Sequence, residues 1–75
     1  MTVKEVLEEY KEDGYNDYVV TIFQLAFNPR TCKQDHKRMN ISFYGVLDKV
    51  VVEDRLILGK NHNLPYDEIQ ITIGG

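Results

Sequence analysis

The sequence predicts an α+β domain: one N-terminal helix followed by a strongly bent five-stranded antiparallel sheet of small-barrel type. Three observations carry this expectation. Residues 2–14 combine a capping signal, an apolar stripe at helical spacing and a terminating glycine. Residues 18–27 form an uncharged run rich in β-branched and aromatic side chains, and residues 41–73 alternate apolar and polar positions in short runs broken by turns, as a β-meander does. At 75 residues the chain is expected to make one domain over its whole length, and 43% apolar residues with three Phe and five Tyr are too many for a disordered segment. A core of this size supplies only about 3–5 kcal/mol, so stabilisation by a homo-oligomer is a further expectation.

Thr2 and Glu5 have the spacing of a capping box, in which the hydroxyl accepts from the residue-5 amide and the carboxylate reaches back. Val3, Val6, Leu7 and Tyr10 then share a face, while Lys4, Glu8, Lys11 and Glu12 lie largely opposite. Gly14 ends the helix as a left-handed cap. In the run YVVTIFQLAF, Val19, Phe23, Leu25 and Phe27 form one strand face and Tyr18, Val20, Ile22 and Ala26 the other. Both are apolar, so the strand is expected to be buried on both sides in mid-sheet.

Pro29 stops that strand, and PRTCKQDHKRMN reads as a long basic loop over 29–40. Ile41, Phe43 and Leu47 read as the next strand, with Gly45 at a sharp bend. Val50, Val51 and Val52 form a further extended segment, Glu53-Asp54 a tight turn, and Leu56, Ile57 and Leu58 the returning strand. Gly59 to Asn63 supplies turn chemistry, and Leu64, Tyr66, Ile69, Ile71 and Ile73 carry the last strand.

The net charge of −3 is unevenly spread. Residues 1–17 hold six acids and two bases, residues 29–40 four bases and one acid, and residues 41–75 five acids and three bases. An acidic chain with one basic segment does not grip nucleic acid with its whole surface, but that segment can dock to phosphate or to an acidic partner. The acidic N-terminus lacks the basic start and apolar run of a signal peptide, and no apolar stretch approaches the roughly 18 residues of a membrane span. With a single cysteine, these features lead us to expect a cytoplasmic protein with no membrane contact.

No catalytic, cofactor or metal motif stands out. Cys32 and His36 lie four residues apart without an evident third group to orient the imidazole, and Cys32, His36 and His62 are too few for a metal. The carboxylates fall at outward positions rather than as a paired acid and base. The terminal Gly74-Gly75 superficially suggests a ubiquitin-like tail, but Ile73 still belongs to an expected strand. We therefore expect no enzyme, no cofactor, no catalytic residue and no metal ligand.

The segment Ile41-Ser42-Phe43-Tyr44-Gly45-Val46-Leu47, the strand Leu56-Ile57-Leu58 and the closing Leu64-Pro65-Tyr66-Asp67-Glu68-Ile69 together resemble the Sm-like, SH3-type small barrels. The last piece is also similar to the closing segment of the YolD-like family of Gram-positive bacteria and their phages, small barrels thought to act beside DNA-repair polymerases. The resemblance covers roughly residues 40–73. It implies a barrel and an accessory role near nucleic acid. The chain departs from Sm-like RNA binders in carrying Asp67 and Glu68 at the closing turn, where they repel phosphate, so ring assembly and base stacking do not carry over.

The expected function is a non-enzymatic protein-interaction module, a phage or mobile-element accessory protein that modulates or inhibits a host enzyme handling nucleic acid. The acidic residues Glu5, Glu8, Glu9, Glu12, Asp67 and Glu68 would then occupy a channel meant for phosphate. The alternative is an Sm-like protein that binds single-stranded RNA or DNA. Here the 29–40 segment, with Arg30, Lys33, His36, Lys37 and Arg38, would make the contact, and Tyr15, Tyr18, Tyr44 and Tyr66 would stack on bases.

Overall fold

A computed structural model describes residues 1–14 and 18–74. Helix α1 spans Val3–Glu12, strand β1 Tyr18–Asn28, β2 Lys33–Met39, β3 Val51–Ile57 and β4 Asp67–Ile73, with 3-10 turns at Phe43–Val46 and Gly59–His62. The strands form one sheet in the order β2-β1-β4-β3. The outer pairs β1/β2 and β3/β4 are antiparallel, and the central pair β1/β4 is parallel.

The helix forms as its sequence directs. Thr2 accepts from the Glu5 amide and Glu5 returns a bond to the Thr2 amide, completing the capping box. Two further amides of the first turn, which no helix satisfies internally, find tertiary partners: Val3 donates to the Lys49 carbonyl and Lys4 to that of Leu47, each at 3.0 Å. The helix ends at Asp13, and Gly14 follows at φ +92°.

Val3 and Val6 pack with Val46 from the first 3-10 turn against Ile22 of β1 and Ile69, Ile71 and Ile73 of β4. These seven residues are the buried apolar core. The molecule measures 40 × 29 × 18 Å, and 18 Å accommodates one helix on one sheet but no third layer.

The α+β class holds, but the expectation of a strongly bent five-stranded antiparallel sheet of small-barrel type is overturned: the sheet is open, mixed and four-stranded. Local readings fail with it. The last strand starts at Asp67, which leaves Leu64 and Tyr66 outside it and exposed. Residues 33–39, expected as loop, form β2 because the register from Ile22↔Met39 to Asn28↔Lys33 continues the β1 ladder around a four-residue connection. Polar side chains are compatible with a strand that sits at a sheet edge. Residues 43–46, expected as strand, wind into a 3-10 turn capped by Ser42, whose side chain accepts from the Tyr44 amide. Phe43, Val46 and Leu47 stand at the i, i+3, i+4 spacing of a helical face, and the buried Val46 does not belong to the alternating row Ile41, Phe43, Leu47. Glu53-Asp54 is no turn, since β3 runs through it with a register shift between Val51 and Glu53 that absorbs the irregular alternation.

Candidate interaction surface

Alternation along β1 and β4 turns Ile22, Ile69, Ile71 and Ile73 toward the helix, and their neighbours to the other side, which no element among the described residues covers. On this bare face β1 presents Val19, Thr21, Phe23, Leu25 and Phe27, and β4 presents Glu68, Gln70 and Thr72. The register adds Arg38, His36 and Gln34 from β2 and Glu53, Arg55 and Ile57 from β3. Phe27 is 65% exposed and Val19 45%, whereas Thr21 and Thr72 are buried between their neighbours.

A chain of polar contacts crosses three strands here. The Arg55 guanidinium donates to the Gln70 side-chain oxygen Oε1 at 3.0 Å, the Gln70 side-chain Nε2 donates to the Glu68 carboxylate, and the Thr21 hydroxyl donates to the other Glu68 carboxylate oxygen at 3.1 Å. Beside it, Phe23, His36, Glu53, Arg55, Gln70 and Thr72 line a hollow of about 250 Å³. An apolar stripe is thus flanked by polar groups on both sides, the arrangement of an interface centre with its rim.

The β1–β2 hairpin extends this face beyond the rest of the sheet. β4 accompanies β1 only as far as Gln24↔Ile73, so Leu25 to Asn28 pair with β2 alone. The tip is organised by Asn28, whose side-chain oxygen accepts from the Arg30 amide at 3.0 Å and whose amide donates to Asp35 at 3.2 Å.

The residues expected to bind partners do not converge. Arg30 sits in the hairpin turn and Lys33, His36, Lys37 and Arg38 on β2. The ladder sends Lys33 and Lys37 to the helix side of the sheet and His36 and Arg38 to the bare side. Among the described residues, none of these five side chains forms an ion pair or side-chain hydrogen bond. Glu5, Glu8, Glu9 and Glu12 are exposed on α1. Glu5 is committed to the cap, and the bonds from the Thr2 amide and hydroxyl hold its carboxyl below the ordinary value of 4.5. Asp67 and Glu68 are half-buried structural groups: Asp67 accepts from the Gly59 amide at 2.9 Å and Glu68 from Thr21 and Gln70.

Of the aromatic candidates, Tyr15 lies outside the described residues, Tyr18 is half-buried, and Tyr44 and Tyr66 are exposed, Tyr44 stacking on Phe43 at 4.3 Å. Phe23 and Phe27 were missed because both β1 faces were expected to be buried. The signal for them was the shortage of apolar elements: one helix covers one face of a sheet, and the described residues hold no second α-helix to cover the other.

Among the described residues no group of three His, Cys, Asp or Glu is placed to hold a metal. Cys32 is exposed in the hairpin turn at φ +53°, with its thiol 3.8 Å from the Pro29 carbonyl. Among the described residues no helix is long and apolar enough to cross a membrane. Comparison with known proteins finds no matching family model, no matching curated sequence and no matching solved structure.

Proposed function

We propose that the protein is a non-enzymatic interaction module, an accessory protein of a phage or other mobile element that modulates or inhibits a nucleic-acid-handling enzyme of its host. The bare sheet face supports the docking part of this reading: Phe23, Leu25 and Phe27 make an apolar stripe along β1, bordered by His36, Arg38, Thr72 and Gln70. Aromatic anchors with a polar surround are where binding energy concentrates in protein interfaces. The exposed carboxylates of Glu8, Glu9 and Glu12 on α1 suit a target whose own ligand is polyanionic.

The test compares the tagged protein with its Phe27→Asp variant in nuclease-treated bacterial lysate. The expected result is a stoichiometric protein partner that the variant loses while keeping its melting temperature. Recovery of nuclease-sensitive nucleic acid without a protein partner would overturn the reading.

One observation favours a second reading, direct binding of single-stranded nucleic acid. Phe23 and Phe27 stand on the same side of β1 as Arg38 of β2, whose side chain has no ion pair among the described residues, while Lys33 and Lys37 lie along the same edge strand but point to the helix side. Stacking platforms beside cations hold single strands in this way. Neutralising Arg30, Lys33, Lys37 and Arg38 together should then abolish binding to a labelled oligonucleotide, and affinity should fall with salt by about 0.7 in log–log slope per phosphate contacted.

A further inference from the structure

We propose that two copies of the chain pair antiparallel through their β2 strands, about a two-fold axis at His36, to make one continuous eight-stranded sheet. This goes beyond the interaction-module reading and stands independently of it.

The chain exposes 5570 Å², some 800 Å² more than the ~4800 Å² expected of a compact monomer of its mass. The excess is about what one partner contributes to a standard protein interface. The Cα radius of gyration, 13.2 Å, likewise exceeds the ~11 Å of a compact 75-residue domain. On the hairpin, Lys33 to Arg38 are all exposed.

The sheet has two edges, and they differ. The start of β3 is occupied: Thr2 bridges to Val50 and the Val51 amide donates to the Met1 carbonyl at 2.7 Å. The strand is also kinked by the register shift between Val51 and Glu53, and such bulges turn an edge away from further pairing. In contrast, β2 pairs in unbroken register with β1 over all seven residues, and among the described residues its outer side meets no strand.

Symmetry then selects the register. A closed two-fold pairing of antiparallel strands centres on one residue, because paired residues must share a sheet face. Centring on Asp35 sets Lys33 opposite Lys37, a like-charge pair. A centre at Gln34 or Arg38 uses less than half of the strand, and a centre at Lys37 leaves Asp35 opposite Met39 with His36 opposite Arg38. Centring on His36 uses the whole of Lys33–Met39, sets Asp35 opposite Lys37 twice, and matches Gln34 with Arg38 and Lys33 with Met39. Opposite charges at directly facing positions stabilise a ladder and like charges destabilise it, so the same charges discourage the other registers. The axis lies perpendicular to the sheet, so both bare faces fall on one side of the assembly.

Sedimentation equilibrium of the full chain tests this. The wild type should be dimeric, and Lys37→Asp and Asp35→Lys should each raise the dissociation constant by on the order of tenfold. The double variant, which exchanges the two charges, should restore the dimer. Asp35 also accepts from Asn28, so circular dichroism must show each variant folded. Should Asp35→Lys fail to fold, Lys37→Asp and a cysteine pair still decide. In a Cys32→Ser background, His36→Cys should form an intermolecular disulfide on mild oxidation, since facing Cα atoms lie about 4.5–5.5 Å apart, while Arg38→Cys should not. A wild type that stays monomeric to about 1 mM, a folded Lys37→Asp variant that dimerises normally, or crosslinking at Arg38→Cys instead of His36→Cys would each overturn the proposal.

Discussion

Gly59 lies so close to the carbonyl of Tyr66 that a Cβ built on it would stand 1.8 Å from that oxygen. The contact closes the turn between β3 and β4, and two bonds reinforce it: the Gly59 amide donates to Asp67, and its carbonyl accepts from the Leu64 amide at 2.9 Å. Backbone on both sides leaves no flexible side chain to yield. Gly59→Ala should therefore destabilise by about 3 kcal/mol, the upper end of ordinary overpacking costs, read as a lower urea midpoint at unchanged slope.

Ile71 is fully buried and Phe27 is 65% exposed, although both are large apolar residues of central strands. Ile71→Ala should cost about 2–5 kcal/mol, enough to unfold much of a domain with so small a core. Phe27→Ser should change stability by less than about 0.5 kcal/mol. A thermal melt of the two variants checks the assignment of the bare face directly.

Tyr10 donates from its hydroxyl to Asp54 at 2.8 Å, joining the last turns of α1 to β3 across 44 residues of sequence. Tyr10→Phe keeps the ring and removes the donor, which at this exposed position should cost about 0.5–1 kcal/mol. For a domain of this size that corresponds to a fall of roughly 2–8 °C in melting temperature.

Glu5 accepts from Thr2 as a carboxylate, and its pKa is lowered first by the Thr2 backbone bond and then by the Thr2 hydroxyl. A carboxyl with a depressed folded-state pKa contributes stability that is present above its unfolded value and lost as pH falls through the folded one. Wild type should therefore lose stability relative to Glu5→Gln as pH drops below 4.5, and the two should differ by a constant amount above about pH 6. Thermal melts of both proteins over this range give the comparison. Thr2→Ala should remove the cap at all pH values, at a cost of about 1 kcal/mol.

What the sequence by itself determined was local. Thr2, Glu5 and Gly14 specify the helix ends through bonds spanning a few residues, and the uncharged run 18–27 specifies a central strand whose two faces were correctly sorted. The tertiary structure alone decided which segments pair. The parallel match of Tyr18–Gln24 with Asp67–Ile73 joins positions 49 apart in sequence, and no local pattern encodes such a partner, because a strand's propensity depends on what flanks it in the sheet. The same pairing makes β2 an edge, which is why a polar segment that reads as loop is a strand. It also leaves one β1 face bare, because α1, the one α-helix among the described residues, is committed to the other side.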